Sequence, residues 1–186
     1  TEALAAAYKS QTGHDLWTGD KYVSCDYGTQ NPTAFLFWQQ GADKKWYCRR
    51  EYYYSGRDKG RQKTDAEFSR DLKDWLHDES IRSVILDPAA ASFKAQLEKD
   101  GFKVKKAKND VIDGIRLVAT LLLTGSIFID KSCENLIKEF ASYIWDAKAA
   151  DKGEDKPVKE HDHALDALRY FCMTIIKMRP GIQILK

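Results

Sequence analysis

No stretch of the sequence approaches the roughly 20 apolar residues needed to cross a bilayer, and its start lacks the charged-then-apolar pattern of a secretory leader. Neither a membrane span nor secretion is expected. The cysteines Cys25, Cys48, Cys133 and Cys172 lie far apart, with no C-x-x-C pair. That spacing excludes a zinc-finger ligand set and a secreted disulfide framework, so they read as buried thiols of a reducing compartment. No G-x-x-x-x-G-K-[ST] phosphate loop is present, which excludes a P-loop ATPase within this chain. An excess of one charge is missing too: the net charge is +2, so affinity for a polyanion has to come from where cations sit, not from their number.

What the sequence does have is length and apolar content. Its 186 residues are 43% apolar, enough to bury a core without disulfides or a structural metal. It begins without Met, and residues 1–20 read as a linker or tail of something longer. Residues 21–178 read as one domain, and Arg179-Pro180-Gly181 opens a C-terminal tail over 179–186.

Strand-like and helix-like periods alternate along the chain, which predicts a mixed α/β domain. Lys21 to Asp26 reads as a strand closed by Tyr27-Gly28 and Asn31-Pro32. Thr33 to Gln40 and Lys44 to Tyr54 read as aromatic strands around the short loop at Gly41. Three antiparallel strands therefore open the domain. Thr64-x-x-Glu67 is a capping box ahead of a helix reaching about His77, with Phe68, Leu72, Trp75 and Leu76 on one face. Ser83 to Asp87 is a short apolar strand suited to a sheet covered on both faces. Ala89–Lys99 reads as helix and Gly101–Lys105 as strand. Asn109-Asp110 caps a helix with Ile112, Ile115, Ala119 and Leu122 on its seam, ended by Gly125. Ser126 to Ile129, a helix from Cys133 to about Tyr143, and a final helix from about Asp162 to Met178 complete the series, the last with Leu165, Leu168, Cys172 and Ile175 inward.

Acidic residues recur where chemistry can use them. Alternation puts Val23 and Cys25 on one strand face and Ser24 and Asp26 on the other. Asp26 reads either as a turn initiator or as a strand-end acid that needs a partner. Asp87 ends the run Val84-Ile85-Leu86; Asp before Pro starts turns, but ligand sites also gather at the carboxyl ends of central strands. In His161-Asp162-His163-Ala164-Leu165-Asp166, one reading makes Asp162 an N-cap with solvent-facing histidines, while the spacing also sets His163 three residues before Asp166 on the same helix side. Capping does not explain Asp166, which stands within an apolar seam one turn further on. Two carboxylates about 4 Å apart repel by about 4 kcal/mol at an effective dielectric of 20. If the acids converge, divalent cations must neutralise them, and oxygen ligands point to Mg²⁺ or Mn²⁺, two ions being the usual arrangement for phosphodiester hydrolysis.

The order of strand-Asp, aromatic hairpin, apolar strand ending in Asp, and acid-bearing final helix resembles the RNase H superfold. More narrowly, CDYGTQNPTAF, VILDPAAASF, KAKNDVIDGIR, LLLTGSIFI and HDHALDALRYF together resemble the nuclease domain of tailed-phage terminase large subunits, closest to the headful-packaging type, over about Tyr22 to Ile176. The resemblance implies an RNase H-like mixed sheet with helices on both faces. It also implies a metal-dependent endonuclease for double-stranded viral DNA. Carried over, the metal-binding acids are Asp26, Asp87 and Asp166, with His163 as helper and Asp162 as second choice for the last position. Implied partners are DNA, an ATPase domain ahead of this one in the same polypeptide, the small terminase subunit and the portal, in the host cytoplasm. A junction resolvase, or a silent DNA-clamping or docking module, is the alternative.

Cations near such a site fall in two groups: Arg57, Lys59, Arg61 and Lys63 in the loop after the third strand, and the run of Lys103, Lys105, Lys106 and Lys108, of which Lys106 and Lys108 are the candidate contacts. Phosphate contacts of this kind bind in a salt-sensitive way with little sequence preference. The tyrosines at 52–54 are weak candidates for base stacking. Residues 146–160, the most polar stretch, read as a surface loop or a flexible hairpin beside the catalytic cleft.

Overall fold

The computed structural model describes residues 2–144, 158 and 161–176; the expected hairpin at 146–160, apart from residue 158, and the tail at 179–186 lie outside them. Strand β1 (Lys21–Asp26) pairs antiparallel with β2 (Thr33–Gln40), and β2 antiparallel with β3 (Trp46–Tyr54). These are the three opening strands the sequence predicts. Three short strands complete the sheet: β4 (Val84–Leu86), β5 (Val104–Lys106) and β6 (Ile127–Ile129). The sheet is six-stranded in the order β5-β4-β1-β2-β3-β6, with β4, β5 and β6 joined parallel to their neighbours.

Alternation along β1 works as expected. Val23 and Cys25 enter an apolar cluster with Phe35, Phe37, Val84 and Leu86, covered by α2 (Asp65–Leu76) and α3 (Ala91–Lys99). Helix α2 is held at its start by the full capping box between Thr64 and Glu67. The opposite face, with Ala34, Leu36, Trp38 and Ile85, is covered by α4 (Val111–Leu123), α5 (Glu134–Ser142) and α6 (His163–Ile175). Asp26, two residues beyond Ser24, ends on this second face, and α6 lies against it.

Helix α6 is buried on all sides, every residue from Ala164 to Cys172. Leu165, Leu168 and Cys172 are inward as the period predicts, but no polar face remains. The strongest single lock is aromatic: Phe171 stacks on Trp38 of β2, centroids 4.1 Å apart and nearly coplanar, while the Trp38 indole donates to Ser24 Oγ at 3.0 Å. All four cysteines are free and buried.

Two local expectations give way. Neither Asp110 nor Asp162 makes a side-chain cap hydrogen bond, although each stands at the N-cap of its helix. The seam of α4 is also rotated: Gly114, Val118 and Leu121 are buried, whereas Leu122 is 38% exposed. The cause is Arg169, whose side chain fills the space a Cβ at position 114 would need. The glycine is the point of closest approach, and Ile115, Ala119 and Leu122 line an apolar cavity of about 160 Å³ beside α6 instead. In the stretch expected to be a linker, α1 (Glu2–Thr12) buries nothing, but Leu16 is 1% exposed and its carbonyl accepts from Ala42 N at 2.8 Å.

Phe171→Ala removes both the stack and the filling of the second face, and should cost about 3–5 kcal/mol in urea unfolding. Leu123→Ser, at a site 88% exposed, should move stability by less than about 0.5 kcal/mol. Equal effects of the two would refute the stack as a principal lock.

Candidate active site

Asp26 and Asp87 leave the sheet side by side. Cys25 pairs with Leu86 in parallel register, so the next residues, Asp26 and Asp87, emerge at adjacent strand ends, about 4.8 Å apart at the backbone. Asp87 keeps the turn role that Asp-Pro suggests, accepting from Ala89 N at 2.7 Å through Oδ1, and its other oxygen accepts from Asn109 Nδ2 at 3.3 Å. Helix α6 brings the remaining groups across this edge. His163 Nδ1 lies 2.9 Å from Asp26 Oδ2, and Arg169 donates to Asp166 Oδ1 at 2.6 Å.

Tyr170 marks the centre. It is 4% exposed, and its phenol is pushed far up by burial first and then by the charges of Asp26, Asp166 and Asp87, the last of which its hydroxyl faces. One hydroxyl thus senses all three acids chosen from the sequence. Asp26 is raised from the ordinary carboxylate value mainly by burial, with repulsion from Asp166 and Asp162 adding and the His163 bond opposing. Burial works against charge on His163, but the bond to Asp26 and the charges of Asp26, Glu139 and Asp162 outweigh it and hold the imidazole above its ordinary value. Asp162 is 6% exposed. It does not cap the helix, so capping does not explain its acidity.

Among the described residues no three acids or histidines are close enough to form a ready-made metal cage. The residue types nevertheless suit a hard divalent cation: carboxylates from β1, the β4 end and α6, with one imidazole beside the first. Asp26, Asp87 and Asp166 are the residues that would hold it.

Arg169, Tyr170 and Glu139 escaped the sequence reading, which also took Asn109 only as a helix cap. Arg169 is 4% exposed and also donates to the carbonyls of Asn109 (2.7 Å) and Asp110 (3.3 Å). Glu139 on α5, 4% exposed, accepts from Leu165 N at 2.9 Å and from the Tyr53 hydroxyl at 3.0 Å; burial pushes its carboxyl up to about 7. The one signal for it was an acid one turn from buried Leu136 on an apolar face.

The cations divide. Arg57 lines an open cleft with Gln30, Asn31, Asp162 and His163, and Lys59 is exposed nearby. Arg61 pairs with Glu67, while Lys63 pairs with Asp71 and sits 4.4 Å over the Tyr54 ring. Lys106 and Lys108 are exposed on the far side of Asp87. The three tyrosines all use their hydroxyls internally: Tyr52 on Asp71, Tyr53 on Glu139, Tyr54 on the Arg61 carbonyl.

Residues 23–174 match the family described as terminase RNase H-like domain. Among solved structures, the large terminase of a thermophilic bacteriophage is 51% identical with a TM-score of 0.83, over 86% of this chain and 41% of that one. The P22 large terminase nuclease domain is 25% identical, TM-score 0.66, over 84% of this chain and 82% of that one. The nuclease domain of the bacteriophage SPP1 large terminase, a structure with bound Mn, shares the fold at 18% identity and a TM-score of 0.61, over 91% and 89% of the two chains. The chain thus spans well under half the length of the thermophilic phage protein.

Arg169→Ala strands a buried carboxylate beside other carboxylates. It should cost about 3–5 kcal/mol in urea unfolding, most of it recovered in the double variant with Asp166→Ala. Additive losses in that cycle would mean that the two side chains are not coupled.

Proposed function

Since this chain belongs to the family of terminase RNase H-like domains, we propose that it is the nuclease part of a phage packaging enzyme, a divalent-metal-dependent endonuclease that cuts duplex viral DNA with little sequence preference. The observation that carries this reading is that Asp26 and Asp87 end adjacent parallel strands and the helix carrying Asp166 meets Asp26 through His163 at 2.9 Å. When bound, Mg²⁺ or Mn²⁺, as one or two ions, would activate water and stabilise the leaving oxygen; the Mn in the SPP1 neighbour makes manganese the ion to try first. Asp26, Asp87 and Asp166 would hold the ions, with the His163 ring against Asp26 at 2.9 Å and Arg169 donating to one oxygen of Asp166 at 2.6 Å.

DNA contact follows from the same edge. Registers place Lys106 beside Leu86, then Cys25, Phe35 and Tyr52 in one row. Four strand spacings separate its ends, roughly 19 Å. Lys106 ends that row on the face opposite Asp26, Lys108 lies by α6 through its N–H to Thr174 Oγ1, and Arg57 and Lys59 follow β3, while Arg61 and Lys63 are paired with Glu67 and Asp71, so a duplex laid across the edge meets cations at both ends. Phosphate contacts of this sort position without reading bases. In the cell the domain would act in the host cytoplasm with an ATPase domain of the same polypeptide, the small subunit and the portal.

Plasmid nicking tests this reading. Conversion of supercoiled DNA should require Mn²⁺ or Mg²⁺ and stop in EDTA. Asp26→Asn, Asp87→Asn and Asp166→Asn should each slow it by about a hundredfold or more while the fold persists. Activity in EDTA refutes the proposal, and duplex binding without nicking at any metal concentration would leave a docking module.

The pH profile carries a second expectation. Asp26 must be ionised to hold a cation, so proton and metal compete, and activity at subsaturating Mn²⁺ should fall as pH drops through its raised pKa. The His163 bond lowers that value. His163→Ala should therefore reduce the rate and move the acidic limb to higher pH; a limb that stays put would remove His163 from the site.

A further inference from the structure

Helix α6 is not capped by its own N-cap residue, since Asp162 makes no side-chain cap bond. Its first backbone N–H groups donate to another element instead. Glu139 of α5 takes Leu165 N at 2.9 Å through Oε2, with Ala164 N also directed at the carboxylate. Helix α5 is capped in the same borrowed way. Its N-cap residue Cys133 makes no side-chain cap bond, and Glu51 of β3 accepts from Asn135 N and Asn135 Nδ2, both at 2.7 Å, and from Leu136 N at 3.0 Å. Tyr53, two residues after Glu51 on the same strand face, donates to Glu139 Oε1 at 3.0 Å.

These contacts form a closed path. Asp26 pairs with Ala34, and Ala34 with Tyr53, in one register across three strands. From Tyr53 the path runs through Glu139 to the start of α6, and from α6 through His163 back to Asp26 at 2.9 Å. The sheet therefore sets the position of the helix through Glu139, one turn from the residues that meet Asp26.

We propose that Glu139 is a positioning residue for the nuclease site: held by Tyr53, it fixes the start of α6 and so sets how far His163 and Asp166 stand from Asp26. This rests on the reading of Asp26, Asp87 and Asp166 as ion-holding carboxylates. A carboxylate suits the task because it accepts several donors at once and its charge matches the positive end of the helix. Carboxylate geometry toward a cation tolerates shifts of only about 0.5 Å. A small slide of α6 would therefore be felt as lost ion affinity even where the fold survives.

The test is Mn²⁺ affinity by titration calorimetry on the full chain, with plasmid nicking at saturating Mn²⁺. Glu139→Ala should weaken Mn²⁺ binding by about 10–100-fold, the range typical of residues that orient ligands. Tyr53→Phe should move it in the same direction by less, and Glu139→Gln by an intermediate amount. Metal-free binding to duplex DNA should stay within about twofold for all three, since the exposed cations are untouched. Leu97→Ala, in the α3 cluster on the opposite face of the sheet, is the control. It should lower Tm comparably and leave Mn²⁺ affinity near the parent value. Parent-like Mn²⁺ affinity in Glu139→Ala, or an equal loss in Leu97→Ala, overturns the proposal. If Glu139→Ala does not fold, Glu139→Gln and Tyr53→Phe carry the same readouts. Asp166→Ala separates the two layers: if it binds Mn²⁺ like the parent, the ion-site reading has failed, whereas its loss beside an unaffected Glu139→Ala fails only the positioning role.

Discussion

The resting position of α6 against the sheet governs the rest of the site. Asp26 and Asp87 are set by strand pairing alone, because β1 and β4 run parallel in fixed register. Asp162, His163, Asp166, Arg169 and Tyr170 all arrive on one helix, and a shift of that helix moves them together. Three kinds of contact oppose such a shift. The Phe171–Trp38 stack resists tilting, Arg169 packed over Gly114 and tied to the carbonyls at 109 and 110 resists rotation, and Glu139 resists sliding along the axis. The first is apolar and the others are polar and buried, which makes the arrangement costly to loosen in part.

Charge explains why so much is invested there. Among the described residues, Asp166 pairs with Arg169, a permanent cation, and Asp26 with His163, a conditional one. Arg169 neutralises Asp166 and His163 neutralises part of Asp26, so the metal-free fold carries the cluster without forcing its acids into contact. That matches the absence, among the described residues, of a closed cage.

Much of this was legible in the sequence, for reasons of range. The Thr64–Glu67 capping box, the split of Val23 and Cys25 from Ser24 and Asp26, and the apolar run closing on Asp87 are local patterns, and the fold keeps each of them. Tyr53 and Glu139 are 86 residues apart, Glu51 and Leu136 are 85, and Asn109 and Arg169 are 60. No local period encodes such pairs. The misread caps have the same origin: Asp110 and Asp162 have the right residue type in the right place. At Asp162 a distant carboxylate already occupies the helix start, and a single sequence does not display that competition. On α4 the apolar spacing of Ile112, Ile115, Ala119 and Leu122 is real, but Gly114 offered a closer approach, and packing around Arg169 chose that side.

Burial also separates two electrostatic regimes on one sheet edge. Arg57, Lys59, Lys106 and Lys108 are exposed, so their pull on a polyanion is screened over about 8–10 Å at moderate salt. Asp166 and Arg169 are buried, where salt reaches them little. Arg61 and Lys63 fall between the regimes, since Glu67 and Asp71 already answer their charges. In the proposed nuclease, ionic strength would therefore act on how a duplex is held far more than on how the acids are arranged. Recruitment and chemistry would then fall to different residues at different depths, although a few strand widths contain them both.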